Sequence, residues 1–68
     1  MKLIDLLLKL ESLFDIEIKT DNNLIYKGEV GAIPLGIVRE YGLYNNYIVM
    51  DIITSPKADM VIYIKEVD

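Results

Sequence analysis

This chain of 68 residues must build its core without the covalent or metal cross-links that many domains of its size use. It contains no cysteine and no histidine, which excludes disulfides and structural zinc. So short a chain buries only about 60% of the surface that its unfolded form exposes, and its core is marginal. We therefore expect one domain, 1–68, stabilised by very regular packing or by association with another molecule.

The proportion of apolar residues favours association. Hydrophobic residues make up 53% of the chain, and eleven residues are isoleucine. Globular domains average about 45–50%, and a monomer this small has too little interior to shelter the excess. We expect an apolar surface that contacts a partner, and a homodimer is one form of that contact.

The charge pattern argues against direct binding of nucleic acid. Seven Lys and Arg stand against eleven Asp and Glu, which gives a formal charge of −4. The positive residues are spread along the sequence, whereas nucleic-acid binders present a basic patch to phosphate. The acidic balance keeps a small domain soluble, and it also suits a basic surface on another protein.

The residues most used for catalysis are missing. Without His and Cys, neither Ser12 nor Ser55 has an obvious activating base. The carboxylates do not follow the spacing of a calcium-binding EF-hand loop. We expect no catalytic residue, no metal and no cofactor, and we interpret Asp51 as an acceptor for the Tyr63 hydroxyl.

The N-terminal apolar run does not predict a signal peptide. It is interrupted by Asp5, Lys9 and Glu11, and no small-residue cleavage site follows. No run reaches the ~18 apolar residues that a membrane span needs. The sequence predicts a cytoplasmic protein with no membrane partner.

The first element is predicted to be an amphipathic helix over 3–14. Its apolar stripe follows the i, i+3, i+4 spacing of a helix and consists of Leu3, Leu6, Leu7, Leu10, Leu13 and Phe14. Leu8 points away from this stripe. It is either a lone exposed leucine or a contact to a second molecule.

The hydrophobic period then changes from helical to alternating. Ile16 and Ile18 alternate with polar residues, Asp and Asn supply a turn at 21–23, and a second strand follows over 24–30. This hairpin would pair Ile18 with Tyr26 and Thr20 with Leu24. The G-x-x-G at 28–31 matches the spacing of an RNA-binding loop, but Glu29 lies where phosphate would approach, and we interpret the glycines as the end of the hairpin.

A short helix and a second hairpin complete the chain. Pro34 suits the first turn of the helix and Gly42 its end, with Ile33, Ile37 and Leu43 as anchors. Strands over 47–54 and 60–67 then flank a turn at 55–59. The predicted register places Thr54–Met60, Ile52–Ile62 and Met50–Ile64 on the core face, and Ile53–Val61, Asp51–Tyr63, Val49–Lys65 and Tyr47–Val67 on a half-apolar second face.

These elements predict an α+β fold. We expect a four-stranded antiparallel sheet of two β-hairpins, in the order α-β-β-short helix-β-β, with the N-terminal helix packed on one face.

The candidate contact residues fall in three groups. Apolar residues of the second sheet face would form a homodimer interface or a docking patch, unless the short helix covers them: Val49, Ile53, Val61 and Tyr63. Three further tyrosines would stack on bases or nucleotides, anchor a protein partner, or seal the rim of the sheet: Tyr41, Tyr44 and Tyr47. Acidic residues would meet basic groups on a target: Glu17, Glu29 and Asp51.

The stretch LIYKGEVGAIP (residues 24–34) carries a family resemblance. With a leucine-rich opening, an I-x-I strand and a β-rich tail, its Y-x-G-x-x-G-x-I-P pattern resembles small orphan proteins of phages and mobile elements of Gram-positive bacteria. Ala32 stands where an acidic residue would be expected. The resemblance implies a size class that includes anti-CRISPR and other anti-defence inhibitors, which are non-catalytic proteins that block a host factor.

The sequence therefore predicts a small acidic accessory protein that binds a host protein, such as a defence component, and inhibits it sterically. Two alternatives stay open. One is a structural homo-oligomer of a phage with no separate target, and the other is a sponge that sequesters a nucleotide.

Overall fold

The computed structural model describes residues 1–67, which form one four-stranded sheet with two helices. The elements in chain order are α1 (Leu3–Leu7), β1 (Asp15–Lys19), β2 (Leu24–Glu29), a 3₁₀ helix (Val30–Ala32), α2 (Leu35–Tyr41), β3 (Tyr47–Ser55) and β4 (Ala58–Glu66). The α+β class, the two hairpins and the packing of the N-terminal helix against the sheet are confirmed.

The two hairpins join through a parallel pair of strands, so the sheet is mixed rather than fully antiparallel. The strand order is β2-β1-β4-β3, and β1 runs parallel to β4 with Ile16 opposite Met60 and Ile18 opposite Ile62. The segment between the hairpins carries β3 to the outer edge of the sheet. Strands β1 and β4, whose Ile16, Ile18 and Ile62 are fully buried, consequently take the two central positions, where apolar side chains are best covered.

The core lies on one face of this sheet. Its fully buried members come from α1, β1, the loop after α2, and β4: Leu3, Ile16, Ile18, Leu43 and Ile62. Ile37 and Val38 of α2 pack against the same cluster. Both helices thus cover one face, and none of the helices within 1–67 is long and apolar enough to cross a membrane.

The helix predicted over 3–14 is wrong beyond its first turns. α1 ends at Leu7, and Leu13, which the stripe would bury, is exposed. The hydrogen bonding changes after Leu8. The Lys9 N–H donates to the Leu6 carbonyl and the Leu10 N–H to the Leu7 carbonyl, three residues back rather than the four of an α-helix. The segment then contacts a distant part of the chain, where the Ser12 carbonyl accepts the Gly31 N–H at 2.8 Å and the Phe14 carbonyl accepts the Val30 N–H at 3.0 Å.

The first hairpin has the predicted register as far as Ile18 but not beyond it, toward the turn. Ile18 lies opposite Tyr26 as predicted, but Leu24 lies opposite Lys19 and not Thr20, because the register shifts beyond Ile18. The turn is one residue shorter than predicted, because the Thr20 N–H donates to the Asn23 carbonyl at 2.9 Å.

The short helix begins and ends as its proline and glycine indicate. Pro34 is the residue before α2, and Gly42 after it has a φ of 59°, a left-handed conformation that glycine adopts without steric cost. Ile33 and Ile37 pack on the core, and Leu43 is completely buried.

A β-bulge at Met50 reverses the side of the sheet to which the residues at the start of β3 point. Ile53–Val61, Ile52–Ile62 and Asp51–Tyr63 pair as predicted, but Val49 then lies opposite Ile64 and Tyr47 opposite Glu66. The predicted pairs Met50–Ile64, Val49–Lys65 and Tyr47–Val67 are therefore wrong, as is Thr54–Met60, where a second shift occurs. One extra residue reverses the side to which the following residues point.

Candidate functional site

The face of the sheet opposite the helices carries two rows of opposed residues. One row is Lys27, Glu17, Val61 and Ile53, and the other is Leu24, Lys19, Tyr63 and Asp51. Directly opposed residues of neighbouring strands point to the same side. These eight residues define the open face.

Neither helix of the described chain lies over the open face. The helices pack on the core cluster, and that cluster does not include Val61. Ile53 keeps 43% of its surface exposed. The short helix therefore does not cover this face, contrary to one of the two alternatives derived from the sequence.

Two residues at the centre of the open face are buried although no element covers them. Val61 is 3% exposed and Glu17 is 8% exposed. They occupy the central strands, where neighbours on both sides and along the strand shield them. The Glu17 carboxylate lies 3.5 Å from the Lys19 ammonium and opposite Lys27. This acid is consequently matched by cations of its own chain.

One depression of this face gathers positive charge, although the eight residues that define the face carry two lysines and two acids. A shallow depression here is lined by Lys19, Lys27 and Lys57 together with a single acid, Glu17. The lining carries three positive charges and one negative charge, a balance of +2, so the rest of the chain, with a total of −4, carries −6. Lysines that are scattered in the sequence thus converge around an apolar centre.

The tyrosines predicted as contacts lie elsewhere. Tyr47 is buried in the core cluster, and Tyr44 and Val49 pack against it, because the bulge at Met50 turns the start of β3 toward the core. Burial, with lesser contributions from Glu66 and Tyr41, raises the pKa of Tyr47 above its ordinary value. Tyr41 is exposed at the end of α2, away from the open face.

The predicted acidic contacts are only partly brought together. Asp51 lies on the open face, but its carboxylate accepts the Ile52 N–H at 2.9 Å rather than the Tyr63 hydroxyl in the described residues. Glu29 lies at the end of β2, opposite Asp15. The structure thus unites Glu17, Asp51, Ile53, Val61 and Tyr63 of the predicted set.

Sequence reasoning missed the lysines and Leu24. The available signal was the alternation in β1 and β2, which places Lys19 and Lys27 on the same side as Glu17. What the alternation could not supply was Lys57, which the turn between β3 and β4 brings to the depression. Within 1–67, no group of three or more acidic side chains is placed to hold a metal ion.

Comparison of the chain with protein-family models, with curated proteins and with solved structures finds no match. An uncovered sheet face that carries Ile53, Val61 and Tyr63 beside a lysine-lined depression is suited to contact with another surface.

Proposed function

We propose that this chain is a non-catalytic binding protein that occupies a surface of another protein through its open face. The observation that carries this proposal is the presence of Ile53, Val61 and Tyr63 on a sheet face with neither helix of residues 1–67 over it. A solvated sheet face normally carries polar residues. Leu24 is 52% exposed and Ile53 is 43% exposed on this face, and exposed apolar residues with a polar surround are typical of an interaction site.

The charges of the open face define the chemistry of the partner. Glu17 is nearly buried beside Lys19, so Lys19, Lys27 and Lys57 leave the depression with a net positive charge, while Asp51 lies on the edge strand of the face. A complementary surface has an apolar patch bordered by carboxylates. Tyr63 is of the residue type that most often carries binding energy in such interfaces.

The biological role that fits this chemistry is steric inhibition of a host protein. The stretch 24–34 resembles small proteins of phages and mobile elements of Gram-positive bacteria, a size class that includes anti-defence inhibitors. A small acidic chain with no catalytic residue set acts by covering a functional surface. A defence component of the host is the target that we propose.

Phage plating tests this function with matched variants. The chain is expressed in Gram-positive hosts that carry an active defence system, and the efficiency of plating is measured. Wild type should raise plating, and the open-face double variant Lys27→Glu/Leu24→Glu should not. The control is Lys9→Glu/Leu8→Glu, which makes the same chemical changes at exposed positions outside the open face.

Two results would contradict the proposal. If wild type leaves plating unchanged across a panel of defence systems, the inhibitory role fails. If the open-face variant is folded by circular dichroism and raises plating as well as wild type does, the open face is not the contact surface.

Sequestration of a nucleotide is a second candidate function, and one observation favours it. Tyr63 and three lysines line one depression, and an aromatic ring with cations can hold a base and its phosphates. A ligand that binds only the folded state raises the unfolding temperature. A thermal-shift screen with nucleotides and short single-stranded DNA would reveal such binding, and a rise for either would displace the protein partner as the leading assignment.

A further inference from the structure

One half of β3 forms an unpaired outer edge of the sheet. β3 is the last strand in the sheet order. Its first half is covered by the N-terminal residues, because Lys2 bridges to Ile48 and the Val49 N–H donates to the Met1 carbonyl at 2.8 Å. From Asp51 to Ser55, no further strand of the described chain lies alongside.

Natural sheet edges are protected by lysine, proline or β-bulges, or by a covering loop. This half-strand has the bulge at Met50 and a register shift after Ile53, but it has no lysine or proline between 51 and 55, where Asp51 is the one charge. Apolar residues are exposed here: Met50 is 58% exposed and Ile52 is 41% exposed.

The amides of this edge are arranged for pairing with another strand. The Ile52 N–H donates to the Asp51 side chain, which identifies it as an outward-facing amide without a strand partner. Backbone groups of a strand alternate in direction, so the Thr54 N–H faces outward as well. Before the bulge at Met50, the outward-facing amide is that of Val49; after the bulge, the outward-facing amides are those of residues 52 and 54.

We propose that residues 51–55 of β3 pair antiparallel with the same segment of a second copy of this chain. A two-fold axis through Ile53 places Ile52 of each copy opposite Thr54 of the other, with reciprocal backbone hydrogen bonds, for which the Ile52 N–H exchanges its bond to the Asp51 carboxylate. The two isoleucines at position 53 meet across the axis. The two four-stranded sheets become one continuous sheet, and this inference goes beyond the function proposed above.

The segment is complementary to itself in charge as well as in shape. Centring on Ile53 places Asp51 opposite Ser55 of the second copy, so the acidic side chains do not face each other. An isologous interface requires this kind of self-complementarity, whereas pairing with an unrelated strand does not. The copies repel at long range because each carries −4, so dimerisation should strengthen as salt rises.

The geometry also sets the relation between the two open faces. A two-fold axis perpendicular to the sheet leaves both faces on the same side. The dimer would then present two copies of the contact surface together, and a partner with two sites would be held with higher avidity.

Sedimentation velocity over a range of concentrations tests the interface. Wild type should dimerise. Thr54→Pro removes an outward amide, a substitution that an edge strand tolerates, and Ile52→Lys places a charge on the edge; both should remain monomeric where wild type is dimeric. Leu8→Lys, the same kind of change at an exposed leucine elsewhere, should dimerise as wild type does.

The outcomes separate this interface from the proposed function. Lys27→Glu, which alters the open face alone, should leave the dimer intact. A wild type that stays monomeric at every soluble concentration overturns the inference, as does an Ile52→Lys variant that is folded and still dimeric. Amide hydrogen exchange gives an independent check, since Ile52 and Thr54 should become more protected as the concentration rises, and unchanged exchange would contradict the pairing.

Discussion

The Tyr26 hydroxyl donates a hydrogen bond to the Glu29 carbonyl, with an oxygen–oxygen distance of 2.7 Å. The ring lies across Gly28, where a Cβ atom would approach the Tyr26 hydroxyl to 2.8 Å and where φ is +147°. This bond closes the chain where β2 ends and the 3₁₀ helix begins. The Y-x-G pattern of residues 26–28 is thereby explained as a structural device, in agreement with the interpretation that the G-x-x-G spacing ends the hairpin.

Replacement of Tyr26 by phenylalanine tests this device. Tyr26→Phe removes the bond to Glu29 and keeps the ring over Gly28, so we expect a loss of about 0.5–1.5 kcal/mol in the free energy of unfolding. Urea unfolding followed by circular dichroism measures it. Tyr41→Phe, at an exposed tyrosine, is the control, and an equal loss in both variants would contradict a specific role for the bond.

Gly31 and Gly36 make a matched pair of glycine-to-alanine changes. A Cβ on Gly31 would lie 2.7 Å from the Ser12 Cβ and 3.1 Å from the Ser12 carbonyl oxygen, whereas a Cβ on Gly36 meets nothing within 4 Å. We expect Gly31→Ala to destabilise by about 1–3 kcal/mol through overpacking. Gly36→Ala should stabilise α2 by up to about 1 kcal/mol. Chemical denaturation of both variants gives the signs, and the idea fails if Gly31→Ala is neutral.

The alkaline stability of the protein should depend on Tyr47. Burial raises the pKa of Tyr47 above its ordinary value of about 10 in the unfolded chain. The folded state therefore holds the proton longer, so the contribution is fully present below pH ~10 and is lost as pH rises through the higher folded pKa. Tyr47→Phe should unfold less steeply with pH in this range than wild type. Thermal unfolding at a series of pH values compares the slopes, and identical slopes above pH ~10 would rule out this contribution.

Asp59 ties the start of β1 to β4. Its Oδ2 atom accepts the Asp15 N–H at 3.0 Å, next to the parallel strand pair. We expect Asp59→Ala to lower the free energy of unfolding by about 1 kcal/mol. Asp21→Ala, in the exposed turn between β1 and β2, should change it little. Guanidinium unfolding of the two variants distinguishes them, and equal midpoints would show that the Asp59 bond is not stabilising.

The parts of the fold that were predictable are set by local chemistry. Alternation marks β1, and the pair Pro34 and Gly42 marks the limits of α2, because each feature constrains the backbone within a few residues. The pairing Ile18–Tyr26 follows from a turn of nearly the right length. These signals lie in consecutive residues and need no knowledge of the rest of the chain.

The parts that were not predictable depend on distant contacts. α1 ends at Leu7 although the apolar spacing continues to Phe14, and Ser12 bonds to the distant Gly31, a contact that the residues between 8 and 13 do not indicate. No sequence signal indicates the bulge at Met50. Because of this bulge, Tyr47 lies in the core and Val49 packs against it, rather than on the predicted contact surface. The sequence therefore placed Asp51, Ile53, Val61 and Tyr63 on the candidate site correctly, because the predicted register of β3 and β4 is the observed one there. It misplaced Tyr47 and Val49, where the register shifts.

The parallel junction between β1 and β4 has a consequence for how the chain can be made. Asp15 and Asp59, which meet there, are 44 residues apart, and a single isolated hairpin is at best marginally stable in water. A ribosome must therefore release the chain as far as β4 before the nascent chain can bury the isoleucines of β1 and β4. Until then the emerging product depends on its net charge, or on a chaperone, to avoid aggregation.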